Sequence, residues 1–70
     1  MPMNINVFID RENKRLGLEL ENGSTVAGLL KKLGINPVTV IVSRNNELIP
    51  EGEELNNDDE IKILSVISGG

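Results

Sequence analysis

The chain has 70 residues, and its 11 acidic side chains outnumber 7 basic ones to give a formal charge of -4. A chain of this length forms one small domain that has little room for a preformed substrate cavity. Cysteine and histidine are absent, which excludes disulfides, thiolate nucleophiles and the commonest zinc ligands. We therefore expect a protein that is not an enzyme. We also expect no binding of nucleic acid, because an acidic surface repels phosphates.

The sequence also predicts where in the cell the protein is located. Its first residues lack the charged start and the apolar stretch of a signal peptide, and no apolar run approaches the roughly 20 residues that span a bilayer. We expect a cytoplasmic monomer that has no contact with membranes.

Two alternating runs come first along the chain. Residues 3–10 alternate apolar and polar side chains, and residues 14–21 place leucine at every second position. This period is typical of half-buried strands, so the two runs predict a hairpin with one apolar face. Phe8 is the only aromatic residue of the chain, and the pattern assigns it to the opposite, solvent-facing side.

A helix is predicted after the turn cluster and N-cap candidates at residues 22–25. Its apolar residues have the i, i+3, i+4, i+7 spacing of one helical face, and they are Val26, Leu29, Leu30 and Leu33. Gly34 suits the left-handed position that ends a helix, and Pro37 prevents any continuation.

Three further strands are predicted in the second half of the chain. Residues 38–43 are rich in β-branched side chains, residues 44–47 are typical of a turn, and Leu48-Ile49 forms a short strand. The acidic stretch at residues 51–60 fits no calcium loop, so we interpret it as a solvated loop and expect no metal site. A final strand is predicted from its apolar residues, which are Ile61, Ile63, Leu64, Val66 and Ile67.

The order β-β-α-β-β-β requires the one helix to bury its leucine face against the sheet. This order predicts an α+β fold, namely a β-grasp (ubiquitin-like) mixed sheet with one helix packed across it. The β-grasp domain is expected at residues 1–66, followed by a flexible tail at residues 67–70 that ends in Gly69-Gly70.

These features resemble the ubiquitin-like β-grasp sulfur-carrier family, which includes thiamine- and molybdopterin-pathway carriers, the tRNA-thiolation modifier and archaeal small modifier proteins. The resemblance covers essentially the whole chain. It rests on the capped helix at residues 24–34, on residues 55–61, and above all on the terminal sequence Val66-Ile67-Ser68-Gly69-Gly70.

Two departures from the family pattern narrow the resemblance. Many members have Asp-Gly-Asp before the last strand, whereas this chain has Asn57-Asp58-Asp59, so we expect Asp58 to take the left-handed turn position. Molybdopterin-type carriers have a proline pair upstream of their Gly-Gly, and this chain has none there. The resemblance is therefore weaker to the molybdopterin-type carriers than to a thiamine-type carrier, a tRNA-thiolation carrier or an archaeal modifier, and among these we take it to be nearest to the thiamine-type carrier.

The resemblance implies a reaction at the C-terminal glycine. The carboxylate of Gly70 would be adenylated with ATP by a ubiquitin-activating-type adenylyltransferase and converted to a thiocarboxylate. This group would give sulfur to an acceptor enzyme such as thiazole synthase or a tRNA thiolase. Ile67, Ser68 and Gly69 would thread into the partner, since glycine permits close backbone approach, and the chain itself would bind no cofactor.

Two alternatives to the carrier remain open. In the first, the same activated glycine is joined to lysines of target proteins, which makes the chain a ubiquitin-like protein modifier. In the second, the chain is an interaction domain with an inert tail. A partner-docking patch for the activating enzyme and the sulfur acceptor is expected on the open sheet face, at Phe8, Ile41, Leu64 and Val66. The alternative is that a loop or the strand twist covers one or more of these residues.

Overall fold

The computed structural model describes residues 2–66, and within them five strands form one sheet in the order β2-β1-β5-β3-β4. The two central strands, β1 and β5, are parallel, and every other neighbouring pair is antiparallel. This topology confirms the predicted α+β, β-grasp mixed sheet. The bounds are β1 Met3–Ile9, β2 Lys14–Leu20, α1 Val26–Leu33, β3 Val40–Arg44, β4 Glu47–Ile49 and β5 Glu60–Ser65.

The hydrophobic core lies between helix α1 and one face of the sheet. The helix contributes Val26, Leu29 and Leu30, each at most 1% exposed, as the helical spacing predicts. Alternate residues of the two central strands bury the facing side, among them Ile5 and Ile61. Removing apolar surface from water contributes about 25 cal/mol per Å², so this single layer supplies most of the stabilisation of a domain this small.

Both ends of helix α1 follow the predicted local chemistry. The Thr25 hydroxyl accepts a hydrogen bond from the Gly28 N–H at 3.3 Å, and Gly34 ends the helix at a φ of 73°. Glycine adopts this left-handed backbone without the cost that a Cβ atom imposes. None of the helices within residues 2–66 has the length and apolar character needed to cross a bilayer.

The boundaries of two predicted strands are wrong. Pro37–Thr39 is a short 3₁₀ helix in which the Asn36 side-chain oxygen accepts from the Val38 N–H at 3.0 Å, so β3 begins only at Val40. The predicted four-residue turn after β3 contains only two turn residues, Asn45 and Asn46, both at positive φ. Arg44 and Glu47 therefore belong to paired strands.

The turn before β5 confirms the prediction for Asp58. Its φ of 67° is left-handed, and its backbone N–H donates to the Asn4 carbonyl at 2.8 Å. The next residue, Asp59, accepts from the Asn6 N–H through its carbonyl at 3.0 Å. These bonds fix the end of the acidic segment against β1 and set the start of β5.

Candidate functional site

The sheet face that points away from helix α1 carries three of the four residues predicted for docking, and the fourth, Val66, directly follows β5. The set is here called the open-face patch: Phe8, Ile41, Leu64 and Val66. The β3–β5 register places Ile41 directly opposite Leu64. Ile41 is 39% exposed and Val66 is 48% exposed, while Leu64 is half-buried. Directly opposed side chains on neighbouring strands touch, so Ile41 and Leu64 form one continuous apolar surface.

Phe8 stands beside this pair rather than within it. On β1 it pairs with Lys62 of β5 on one side and with Arg15 of β2 on the other. The guanidinium carbon of Arg15 lies 5.9 Å from the centroid of the Phe8 ring, a distance at which a cation is attracted to an aromatic face. Phe8 is half-buried, and this stacking arginine is a feature that the sequence pattern did not reveal.

Two exposed apolar residues near the patch were also missed by sequence reasoning. Val38 is 78% exposed and Leu48 is 64% exposed. The sequence pattern predicts Val38 within a strand, and Leu48 lies in a strand too short to show a period. Leu48 pairs with Ser43, which places it on the open face, while the 3₁₀ helix of Val38 accepts the Val66 N–H at the Thr39 carbonyl.

The acidic segment is anchored to the sheet by Arg44, so its interpretation as a solvated loop is wrong in part. The Arg44 guanidinium donates to the carboxylates of Glu53 at 2.7 Å and Asp59 at 3.3 Å, and to the Glu54 carbonyl at 3.0 Å. Asp59 is only 9% exposed. Arg44 is the one basic residue between Lys32 and Lys62 in the sequence, a signal that could have identified this anchor.

Electrostatics keep this anchor charged. The hydrogen bond to Glu53, with smaller contributions from Asp59, raises the pKa of Arg44 above its ordinary value despite opposing desolvation. Among residues 2–66, acidic side chains nowhere gather in a group of three or more suited to a metal ion. The carboxylates of Glu53 and Asp59 instead serve the fold.

The predicted reacting residue Gly70 and the predicted threading residues Ile67, Ser68 and Gly69 lie outside the residues that the structure describes. The described chain reaches Val66, which follows the end of the central strand β5. Val66, the last described residue, is itself a member of the open-face patch. A partner that contacts Ile41 and Leu64 is close to the point where the tail begins.

The fold is ubiquitin-like. The chain is similar to Caldiarchaeum subterraneum ubiquitin over 100% of both chains, with a TM-score of 0.78 and 18% identity. It is also similar to a designed protein based on ubiquitin, with a TM-score of 0.77 and 18% identity over 97% of this chain and 93% of that one. A ubiquitin-like domain from Arabidopsis thaliana gives a TM-score of 0.76 at 14% identity, over 99% of this chain and 82% of that one. At such identities the likeness shows the fold alone.

Sequence comparison gives the family. Residues 7–70 match the model of the ThiS family. The chain is 35% identical over 57 residues to the sulfur carrier protein TtuB of Thermus thermophilus. The aligned region covers 81% of this chain and 88% of that protein. It is 36% identical over 63 residues to an uncharacterized protein of Archaeoglobus fulgidus, in an alignment that covers 90% of this chain and 91% of that protein. The chain therefore belongs to the ThiS family, and the predicted resemblance to β-grasp sulfur carriers is confirmed.

Proposed function

We propose that the chain is a sulfur carrier whose reacting group is the carboxylate of Gly70. An activating adenylyltransferase joins this carboxylate to AMP from ATP and releases pyrophosphate. A sulfide-level nucleophile then attacks the acyl carbon and expels AMP to leave a thiocarboxylate. An acceptor enzyme takes the sulfur for thiazole formation or for tRNA thiolation, and water restores the Gly70 carboxylate. The chain acts as the carried substrate of its partners and not as a catalyst.

One observation carries this proposal: the family match extends through Gly69 and Gly70. A carboxylate is a poor electrophile until one oxygen becomes part of a good leaving group, which is the role of the adenylate. Terminal glycine leaves the acyl carbon free of any side chain that would block an incoming sulfur nucleophile. The glycine before it adopts backbone angles closed to other residues and so suits a narrow active-site channel.

The open-face patch is the proposed docking surface for the activating enzyme. Exposed Ile41 and Val66 lie beside the start of the tail. Apolar surface of this kind is a common binding site. A partner that covers Ile41 and Leu64 also holds Val66, the residue before the tail, close to its own surface.

Intact mass spectrometry of the protein from its native cells tests the proposal. The full-length chain is expected to show a form heavier by about 16 Da, where sulfur replaces one carboxylate oxygen. A variant without Gly69 and Gly70 should lack this form, and Lys31→Ala, on helix α1, should retain it. Heavier protein conjugates that disappear with Gly69 and Gly70 would indicate a modifier instead. An unmodified mass in every sample would leave an interaction domain with an inert tail.

A further inference from the structure

A row of four side chains crosses the open face at Phe8. The strand registers place Arg15, Phe8, Lys62 and Ser43 next to one another on β2, β1, β5 and β3. Neighbouring strands lie about 4.8 Å apart, so the backbones of Arg15 and Lys62 are separated by about 10 Å. The single aromatic ring of the chain thus has one cation on each side.

The row lies in an open groove of about 630 Å³. Ser43, at 5% exposure, is a small buried residue in the row, and polar side chains of Asn6 and Asn45 also line the groove. Leu64 follows Lys62 by two residues on the same face of β5, so the groove and the open-face patch adjoin. Phe8 belongs to both the row and the patch, so a partner that covers the whole patch lies over the ring that the two cations flank.

The charge of this row is opposite to that of the whole chain. The row carries two positive side chains and no negative one, on a protein of formal charge -4. Within residues 2–66 the ion pairs are those of Arg44, so neither Arg15 nor Lys62 is neutralised by a carboxylate of that part of the chain. Glu60 is the one acidic residue that lines the groove.

The stacking on Phe8 prepares Arg15 for a particular ligand. The contact with the Phe8 ring holds the Arg15 guanidinium on the open face, and the planar fork of this group matches a carboxylate. Less side-chain freedom is lost when such a prearranged donor binds. Lys62 adds a second, less directional positive charge.

We propose that the activating partner places carboxylate side chains over Arg15 and Lys62 when its apolar surface covers the open-face patch. This inference rests on the proposed function, because it describes the chemistry of the same partner. Protein carboxylates fit better than nucleic acid, since the other acidic side chains of the chain repel an extended polyanion and the adjoining patch offers apolar contacts that a phosphate backbone does not use.

The test follows activation of the carrier by the adenylyltransferase from the same organism, measured as exchange of labelled pyrophosphate into ATP at varied carrier concentration. Arg15→Glu and Lys62→Glu are each expected to raise KM for the carrier by about ten-fold at low salt, with kcat within about two-fold of wild type. The difference in KM between each variant and wild type should shrink near 0.5 M salt, where the screening length is about 4 Å. Glu60→Gln should lower KM.

Lys31→Glu is the matched control. It changes the net charge by the same amount as Lys62→Glu, but Lys31 lies on helix α1, on the other side of the sheet from the row. Its KM should equal that of wild type, and thermal unfolding checks that every variant is folded at the assay temperature. Equal KM values for Lys62→Glu and Lys31→Glu would overturn the inference and leave the proposed function intact. RNA binding that Lys62→Glu abolishes, with KM unchanged, would assign the row to nucleic acid instead.

The failure of the proposed function would look different. In one case, pyrophosphate exchange would be absent with the wild-type chain, and this result would contradict both the proposed partner and this inference. In the other case, exchange would persist after deletion of Gly69 and Gly70. Loss of exchange on that deletion, combined with the KM effects of Arg15→Glu and Lys62→Glu, supports both.

Discussion

Arg44 organises the acidic segment at the level of single side chains. One guanidinium serves two carboxylates and one carbonyl, which isolated surface pairs do not do. Its pKa is raised on folding, so its contribution to stability is complete below the unfolded pKa and is lost only as pH rises through the higher folded value. Both values are strongly alkaline, and the anchor is therefore constant through neutral pH.

Asp59→Ala should lower the free energy of unfolding by about 2 kcal/mol, the usual cost of losing buried hydrogen bonds to a charged group. The carboxylate accepts from Arg44 and from the Asn56 N–H at 2.8 Å, and alanine leaves that N–H without its acceptor. Urea unfolding at neutral pH measures the change. Glu51→Ala, at an exposed position of the same segment, should stay within about 0.5 kcal/mol of wild type, and equal effects of the two variants would contradict the anchor.

The left-handed backbone at Asp58 gives a second residue-level prediction. Asp58→Gly should raise the free energy of unfolding by up to about 1 kcal/mol, and Asp58→Val should lower it by about 1 to 2 kcal/mol, because a Cβ atom is strained at positive φ. Thermal or urea unfolding of the two variants distinguishes them by sign. If valine were tolerated as well as glycine, the turn would not have this conformation.

At the scale of elements, local patterns predicted what local chemistry decides. Helix α1 has its cap at Thr25 and its end at Gly34 because both features depend on residues within one turn. The predicted start of β3 is wrong. β-Branched residues suit both a strand and the position after Pro37, and the hydrogen bond from the Val38 N–H to the Asn36 side chain favours the 3₁₀ helix. Strand propensity alone does not include that hydrogen bond.

Strand pairing explains what the sequence could not predict about the site. Alternation along β3 and β5 sufficed to place Ile41 and Leu64 on the face opposite the core. The position of Arg15 over Phe8 depends on the β1–β2 register, and the row through Lys62 depends on which strands are neighbours. Periodicity specifies the face of a side chain but not its partner on the next strand.

The whole molecule uses the two faces of one sheet for separate purposes. Successive residues of a strand point to opposite faces, so Val7 is buried beneath the helix while Phe8 lies on the open face. In a 70-residue domain with a single core, stability is small and depends on a few fully buried side chains. Substitutions on the two faces should therefore change different measurable properties.

A pair of substitutions tests this separation. Leu29→Ala, at a helix position with 0% exposure, should lower the free energy of unfolding by about 2 to 5 kcal/mol and leave KM for the activating enzyme unchanged at temperatures where the variant is folded. Ile41→Ala, on the exposed face, should lower the free energy of unfolding by less than about 1 kcal/mol and raise KM by about ten-fold. Urea unfolding and pyrophosphate exchange on the same preparations measure both properties. An unchanged KM for Ile41→Ala would exclude the open-face patch as the docking surface, because an exposed apolar side chain buried by a partner contributes through the area that it removes from water.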